Sequence, residues 1–177
     1  MNLKKIKNSQ SLALASSFII TILNFIIIPS VESFALGANS FSQSPGNVNF
    51  YAALSQNFKA SNERIKYDIV LNNHGNSYNA TTGLFLAPTN GIYFFQTNSL
   101  RYRSDQLYIH IMHNKAMVSS AANLDKNFES VSASVILELK KGDRVWVKLR
   151  VGQVYGHSPS NYSNFMGYRI SDLNKIN

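Results

Sequence analysis

The chain has 177 residues, 45% of them hydrophobic, with 17 Lys and Arg against 9 Asp and Glu for a net charge of +8, and it has no cysteine. This length fits one domain plus an appended segment, and the apolar content is enough for a real core, which excludes a disordered chain. Disulfides and thiolate metal sites are excluded outright, and nine Tyr and eleven Phe beside sparse helix-forming runs favour β-structure.

Residues 1–35 have the layout of a secretory signal. Lys4, Lys5 and Lys7 come first, an apolar run covers 12–28, Pro29 stops the helical stretch, and Ser33 and Ala35 flank Phe34 as a cleavage site requires. Cleavage after Ala35 is expected, giving a secreted protein with no stable membrane span. The alternative is an uncleaved anchor, because about 17 apolar residues reach the lower limit for crossing a bilayer. Cleavage removes three lysines and Glu32 and leaves +6, a charge suited to anionic partners. Residues 36–47, rich in Gly, Ala, Asn, Ser, Gln and Pro, read as a flexible lead-in. Gly37 and Gly46 are their only glycines, so no collagen-like stalk is encoded.

From Val48 onward, strand-sized apolar runs alternate with turn residues: 48–54, 65–71, 83–87, 92–103, 106–113, 116–120, 131–139, 145–151 and 165–170. In 107–112 the period is two, with Leu107, Ile109 and Ile111 on one face and Tyr108, His110 and Met112 on the other. Two hairpins are predicted, one turning at His113-Asn114-Lys115 and one at 140–144, where Gly142 supplies a positive φ. Gly91, after Pro88-Thr89-Asn90, is read as a second glycine placed for positive φ. Nine or ten strands without a helix predict an all-β jelly-roll sandwich of about ten antiparallel strands, spanning 48–171, with 172–177 as a C-terminal tail.

The spacing of aromatic and glycine positions from Tyr67 to Phe95 resembles the signature of the complement C1q globular-head family, related in fold to tumour-necrosis-factor-like cytokines. Tyr67, Asn73, Tyr78, Phe85 and Gly91 follow one another at the family's intervals, and Tyr93 and Phe95 complete Gly-Ile-Tyr-Phe-Phe. Downstream, Lys141-Gly142-Asp143-Arg144-Val145-Trp146-Val147 is similar to the family's late hairpin, and Asn164-Phe165-Met166-Gly167-Tyr168 to its closing strand. Two positions depart: Tyr67 stands where Phe is usual, and Thr97 where a further aromatic is usual. Tyr93 and Phe95, two apart, share a sheet face, and Phe85 joins them from another strand. The resemblance implies a ten-stranded jelly roll and homotrimers about an axis lined by apolar and aromatic side chains.

No catalytic constellation is legible, so the chain is read as non-enzymatic. Gly-x-Ser-x-Gly and Walker patterns are absent, and His110 and His113, three apart on a strand, fall on opposite faces and read as surface histidines. The resemblance implies calcium as the one candidate ion. Asp125 and Glu129 are the matching acids, with Asn127 between them, although a solvated acidic loop explains the same residues. For ligands, Arg101 with Arg103 and Lys148 with Arg150 are each read as two cations on one strand face, able to meet phosphate or sulfate. Tyr102 and Tyr155 add stacking, and simple solvation of an outer face is the plainer reading of the cations. A nucleic-acid partner is set aside for want of a concentrated basic stripe. Asn79 and Asn161 head Asn-x-Ser/Thr acceptor sequences placed in loops.

The expected function is a secreted, trimeric, lectin-like pattern-recognition head. It would hold extracellular carbohydrate, lipopolysaccharide or other anionic surfaces through avidity. The alternatives are a structural or adhesive coat module and a cytokine-like ligand for a protein receptor.

Overall fold

The computed structural model describes residues 47–59, 61–104, 106–124 and 129–173. The signal and, except for Asn47, the lead-in fall outside them, as do residues 174–177 of the tail.

Thirteen strands occur among the described residues. They are β1 (Asn49–Ala53), β2 (Phe58–Lys59), β3 (Glu63–Arg64), β4 (Ile69–His74), β5 (Tyr78–Asn79), β6 (Leu84–Leu86) and β7 (Gly91–Leu100). After them come β8 (Leu107–His113), β9 (Ala116–Asn123), β10 (Ser130–Leu139), β11 (Arg144–Val151), β12 (Gln153–Val154) and β13 (Asn164–Ser171). One sheet has the order β10-β7-β13-β1-β4, and the other β5-β6-β11-β8-β9 with β3 added to β11. Eleven strands therefore build the two antiparallel layers of the jelly roll, where about ten were expected, and β2 with β12 forms a separate two-stranded ribbon.

The core lies between the layers, and period two puts it there. In β7, exposure alternates without a break, so Tyr93, Phe95, Thr97 and Ser99 are buried while Ile92, Phe94, Gln96 and Asn98 face outward. Phe50, Phe85, Phe95 and Phe165 pack with ring centroids 5.0–6.5 Å apart, and Tyr93 joins through Phe85 at 5.6 Å. Such pairs add about 0.5–1.5 kcal/mol each beyond burial of area. Asn73 has a polar task in the same frame. Its amide donates to the Tyr78 carbonyl at 2.8 Å and accepts from the Tyr78 N–H at 3.1 Å, fixing β4 to β5.

The two departures from the family pattern meet each other. The Tyr67 hydroxyl lies 3.0 Å from Thr97 Oγ1, which donates to the Asn164 carbonyl at 2.9 Å, so Tyr67 is the donor in the first bond. A phenol buried where Phe is usual needs a partner, and a hydroxyl replaces the aromatic that would otherwise fill the place.

Three expectations need correction. Residues 65–68 are not strand, and the ladder starts at Ile69 because Ile65 and Tyr67 are drawn into the core individually. The 140–144 turn is not a hairpin. Gly142 has φ +93 as expected, but β10 pairs with β7 and β11 with β8, β6 and β3, so the turn carries the chain from one sheet to the other. Of the two predicted hairpins, the one at Asn114–Lys115 is present, between β8 and β9, with Asn114 at φ 52. Gly91 is not at positive φ. It is needed because a Cβ would lie 2.6 Å from Arg169 Nε and 2.8 Å from the Ser171 carbonyl, where Arg169 Nη2 donates to the Asn90 carbonyl at 3.0 Å. Gly167 answers a similar demand, since a Cβ there would stand 2.5 Å from the Phe95 ring.

Candidate functional site

Three surfaces carry chemistry. The first is the outward face of the β10-β7-β13 sheet. Ile136, Phe94 and Tyr168 are register partners across three adjacent strands, and the Phe94 and Tyr168 rings lie 5.3 Å apart. Ile136 is 62% exposed, Tyr168 42% and Ile170 49%. Large apolar side chains contiguous on a solvent-facing sheet mark an association surface. Tyr168, expected as part of the structural signature, thus belongs to the outer face and not to the core. The sequence carried a signal for this surface. Four apolar residues in succession, Ile92 to Phe95, leave no polar face on the first half of the strand, which fits a segment covered on both sides.

The second surface is at the β7–β8 and β12–β13 connections. The Tyr102 and Tyr155 rings are 5.5 Å apart, Arg103 lies 5.2 Å over the Tyr102 ring, and Tyr155 stacks on His157 with Tyr162 beside it. Tyr102 and Tyr155, read separately in the sequence as stacking residues, therefore meet each other. Arg101 and Arg103 do not share a strand face. β7 ends at Leu100, Arg101 is 3% exposed at an isolated bridge to Val154, and Arg103 is in a bend at φ 44. Arg101 is therefore an interior residue.

The third is the outward face of β11. Val145, Val147 and Leu149 are buried, so Arg144, Trp146, Lys148 and Arg150 point away from the core. Lys148 and Arg150 lie together as expected. The stripe they belong to is longer than the pair, since Arg144 and Trp146 share its face. His110 stands opposite Lys148 on β8, and burial, then Lys148, then Arg150 hold its imidazole below the usual histidine value.

His113 points elsewhere, with Nε2 3.2 Å from Asp143 Oδ2, so the two histidines share no ion. The Asp143 carboxyl is held below its usual range, first by the Asn114 side-chain amide, then by the Lys140 N–H and by His113, with burial acting in the opposite direction. No group of three His, Cys, Asp or Glu that could hold a metal gathers among the described residues. Of the calcium candidates, Asp125 and Asn127 lie outside the described residues, and the Glu129 carboxylate accepts from the Asn123 amide. Asn79 is not in a loop. It ends β5, and its Oδ1 accepts from the Thr82 N–H at 3.0 Å. Asn161 is in a loop, at φ 50, and its Oδ1 is buried. No helix among the described residues is long and apolar enough to cross a membrane.

The chain as a whole is similar to known proteins. A family profile for the C1q domain matches residues 49–170. Human complement C1q tumor necrosis factor-related protein 3 is 32% identical over 126 residues, which is 70% of this chain and 51% of that protein. Mouse complement C1q tumor necrosis factor-related protein 6 is 35% identical over 121 residues, covering 66% of this chain and 44% of that one. The chain thus spans about half the length of these relatives. Among solved structures, the globular domain of zebrafish complement 1qA aligns with TM-score 0.57 at 18% identity, over 71% of this chain and 98% of that chain. Murine APRIL aligns with TM-score 0.57 at 12% identity, over 70% and 99%. With the matched profile running from the first strand of the sandwich to nearly the end of the last, the chain belongs to the C1q domain family.

Proposed function

We propose that this chain is a secreted, non-enzymatic recognition head. Three copies would pack the Ile136–Phe94–Tyr168 faces around a common axis and present three copies of their basic surfaces to extracellular anionic ligands. The observation that carries the reading is that apolar row, contiguous across three strands and open to solvent. Covering it removes apolar area from water at about 25 cal/mol per Å². Assembly then turns one weak site per protomer into avidity, a gain of roughly 10²–10⁴ in apparent affinity on a repetitive surface. The secretory layout of residues 1–35 and the charge of +6 left after cleavage fit the same reading.

The test compares the natural chain with an Ile136→Glu/Tyr168→Glu variant on surfaces coated densely or sparsely with lipopolysaccharide or sulfated polysaccharide. The natural chain should be retained at least tenfold longer on the dense surface, and the variant equally briefly on both. Equal retention of both proteins on the dense surface would refute the reading.

A further inference from the structure

The stripe on β11 does more than display a pair of cations. At about 3.4 Å per residue, Arg144 and Arg150 stand roughly 20 Å apart along the strand, with Trp146 and Lys148 between them on the same side. A transverse row crosses this one at its middle, because Arg64 on β3 and His110 on β8 are both register partners of Lys148, on its two sides. Arg64 lies 5.0 Å over the Trp146 ring and donates from Nη1 to the Thr82 carbonyl at 2.9 Å. Its Nε is buried and has no acceptor among the described residues. Among those residues Arg64, Arg144, Lys148 and Arg150 make no ion pair with a carboxylate. Burial and the Arg144 charge together press the Arg64 guanidinium below its ordinary value. Like charges crowded on a sheet face without counter-charge repel one another, and a bound anion relieves that repulsion.

We propose that the outward face of β11, with Arg64 and His110 beside it, is a binding strip for a single linear polysaccharide chain carrying sulfate or phosphate esters. The proposal deepens the recognition-head reading above and rests on it. A row one side chain wide and about 20 Å long fits an extended chain better than a single sugar or ion. Guanidinium forks at both ends match the oxygens of tetrahedral oxyanions. Single-stranded nucleic acid fits less well, because it depends on open aromatic faces for stacking, and Arg64 already covers Trp146. The depression lined by Gln106, Tyr108, His110, Arg150 and Val151 receives one end of the chain.

His110 makes the strip sensitive to pH. The charged groups facing it are Lys148 and Arg150 from β11, its own strand adds Tyr108, and β9 contributes no charged residue. Free of ligand, the imidazole is neutral near pH 7. An ester anion between it and Lys148 offsets the two cations and raises its proton affinity, so binding takes up a proton and tightens as pH falls.

The experiment uses the full chain and measures anisotropy of short fluorescent probes: a heparin oligosaccharide, a phosphomannan fragment, a polygalacturonate fragment and a single-stranded oligonucleotide. Either ester-bearing probe, or both, should bind at least tenfold more tightly than the other two, and which one binds identifies the source of the oxyanion. Lys148→Ala/Arg150→Ala should lower that affinity at least tenfold and flatten its salt dependence, a far larger loss than Arg103→Ala produces. Unaltered affinity in the double variant, an equal or larger loss in the Arg103 variant, or preference for the oligonucleotide or the uronate would overturn the proposal. Between pH 7.5 and 5.5 the affinity should rise at least threefold in the natural chain and stay flat in His110→Gln. A flat profile in both removes His110 from the strip. Circular dichroism confirms that each variant folds. Short probes engage one protomer, so with light scattering on the same samples a monomer that binds refutes only the trimer, and a trimer that ignores every ester refutes only the strip.

Discussion

Replacing Thr97 by Val should destabilise the protein more than replacing Thr97 and Tyr67 together by Val and Phe. Thr97 Oγ1 receives the Tyr67 hydroxyl at 3.0 Å and donates to the Asn164 carbonyl at 2.9 Å, and both tyrosine and threonine are fully buried. Thr97→Val therefore leaves the buried phenol with only Ser99 beside it and removes the hydroxyl donor of the Asn164 carbonyl, at about 1–3 kcal/mol for each group left short of a partner, or about 3 kcal/mol in all. Tyr67→Phe strands nothing, since Thr97 keeps its carbonyl acceptor, and costs about 1 kcal/mol for the lost bond. The double change strands only the carbonyl and should cost about 2 kcal/mol, leaving a coupling of about 2 kcal/mol between the two sites. Urea unfolding of the four proteins at pH 7 measures the cycle. Additivity to within about 0.5 kcal/mol would show that the hydroxyls do not act as a pair, and the reasoning fails.

Gly167→Ala should cost about 1–3 kcal/mol, because its Cβ would fall 2.5 Å from the Phe95 ring and 2.8 Å from that of Phe50, and a thermal melt reports the loss. Burial pushes the Tyr67 phenol up to about 12, against the opposing effect of its Thr97 hydrogen bond. Its contribution to stability is whole below the unfolded value of about 10 and drains away as pH rises from there toward 12. Absorbance titration should show Tyr67 and Tyr78 ionising last, and Tyr67→Phe should shrink the alkaline loss. Asp143, with its carboxyl held low chiefly by Asn114, contributes stability that is present above the ordinary carboxylate value and lost as pH falls through the lowered one. Asp143→Asn should flatten the melting temperature against pH on the acid side of 4.

The strand runs and the aromatic signature were legible because period-two burial and glycine placement are local constraints, visible within ten residues of chain. The fate of the 140–144 turn was not, since a short connection with a positive-φ glycine serves equally for a hairpin and for a step between sheets. Only the long-range pairing of β10 with β7 decides it. Arg101 illustrates a second limit. Alternation carried past Leu100 kept it beside Arg103 on an outer face, whereas the strand ends there and the chain folds Arg101 inward. On the site itself, half of the β11 stripe was readable as Lys148 and Arg150. Arg144 and Trp146 sat at the same spacing and could have been added from the sequence. Arg64 and His110 could not, because β3 and β8 reach Lys148 from 84 and 38 residues away in the chain. The apolar outer face was half-stated by the Ile-Tyr-Phe-Phe run and needed the register to show that Phe94 meets Ile136 and Tyr168.

Light scattering coupled to size exclusion, applied to the natural chain and to Ile136→Glu/Tyr168→Glu, addresses the association face most directly. The natural chain should elute as a particle of three chain masses and the variant as one. A natural chain of a single chain mass, or a variant that still elutes as three, would contradict the account.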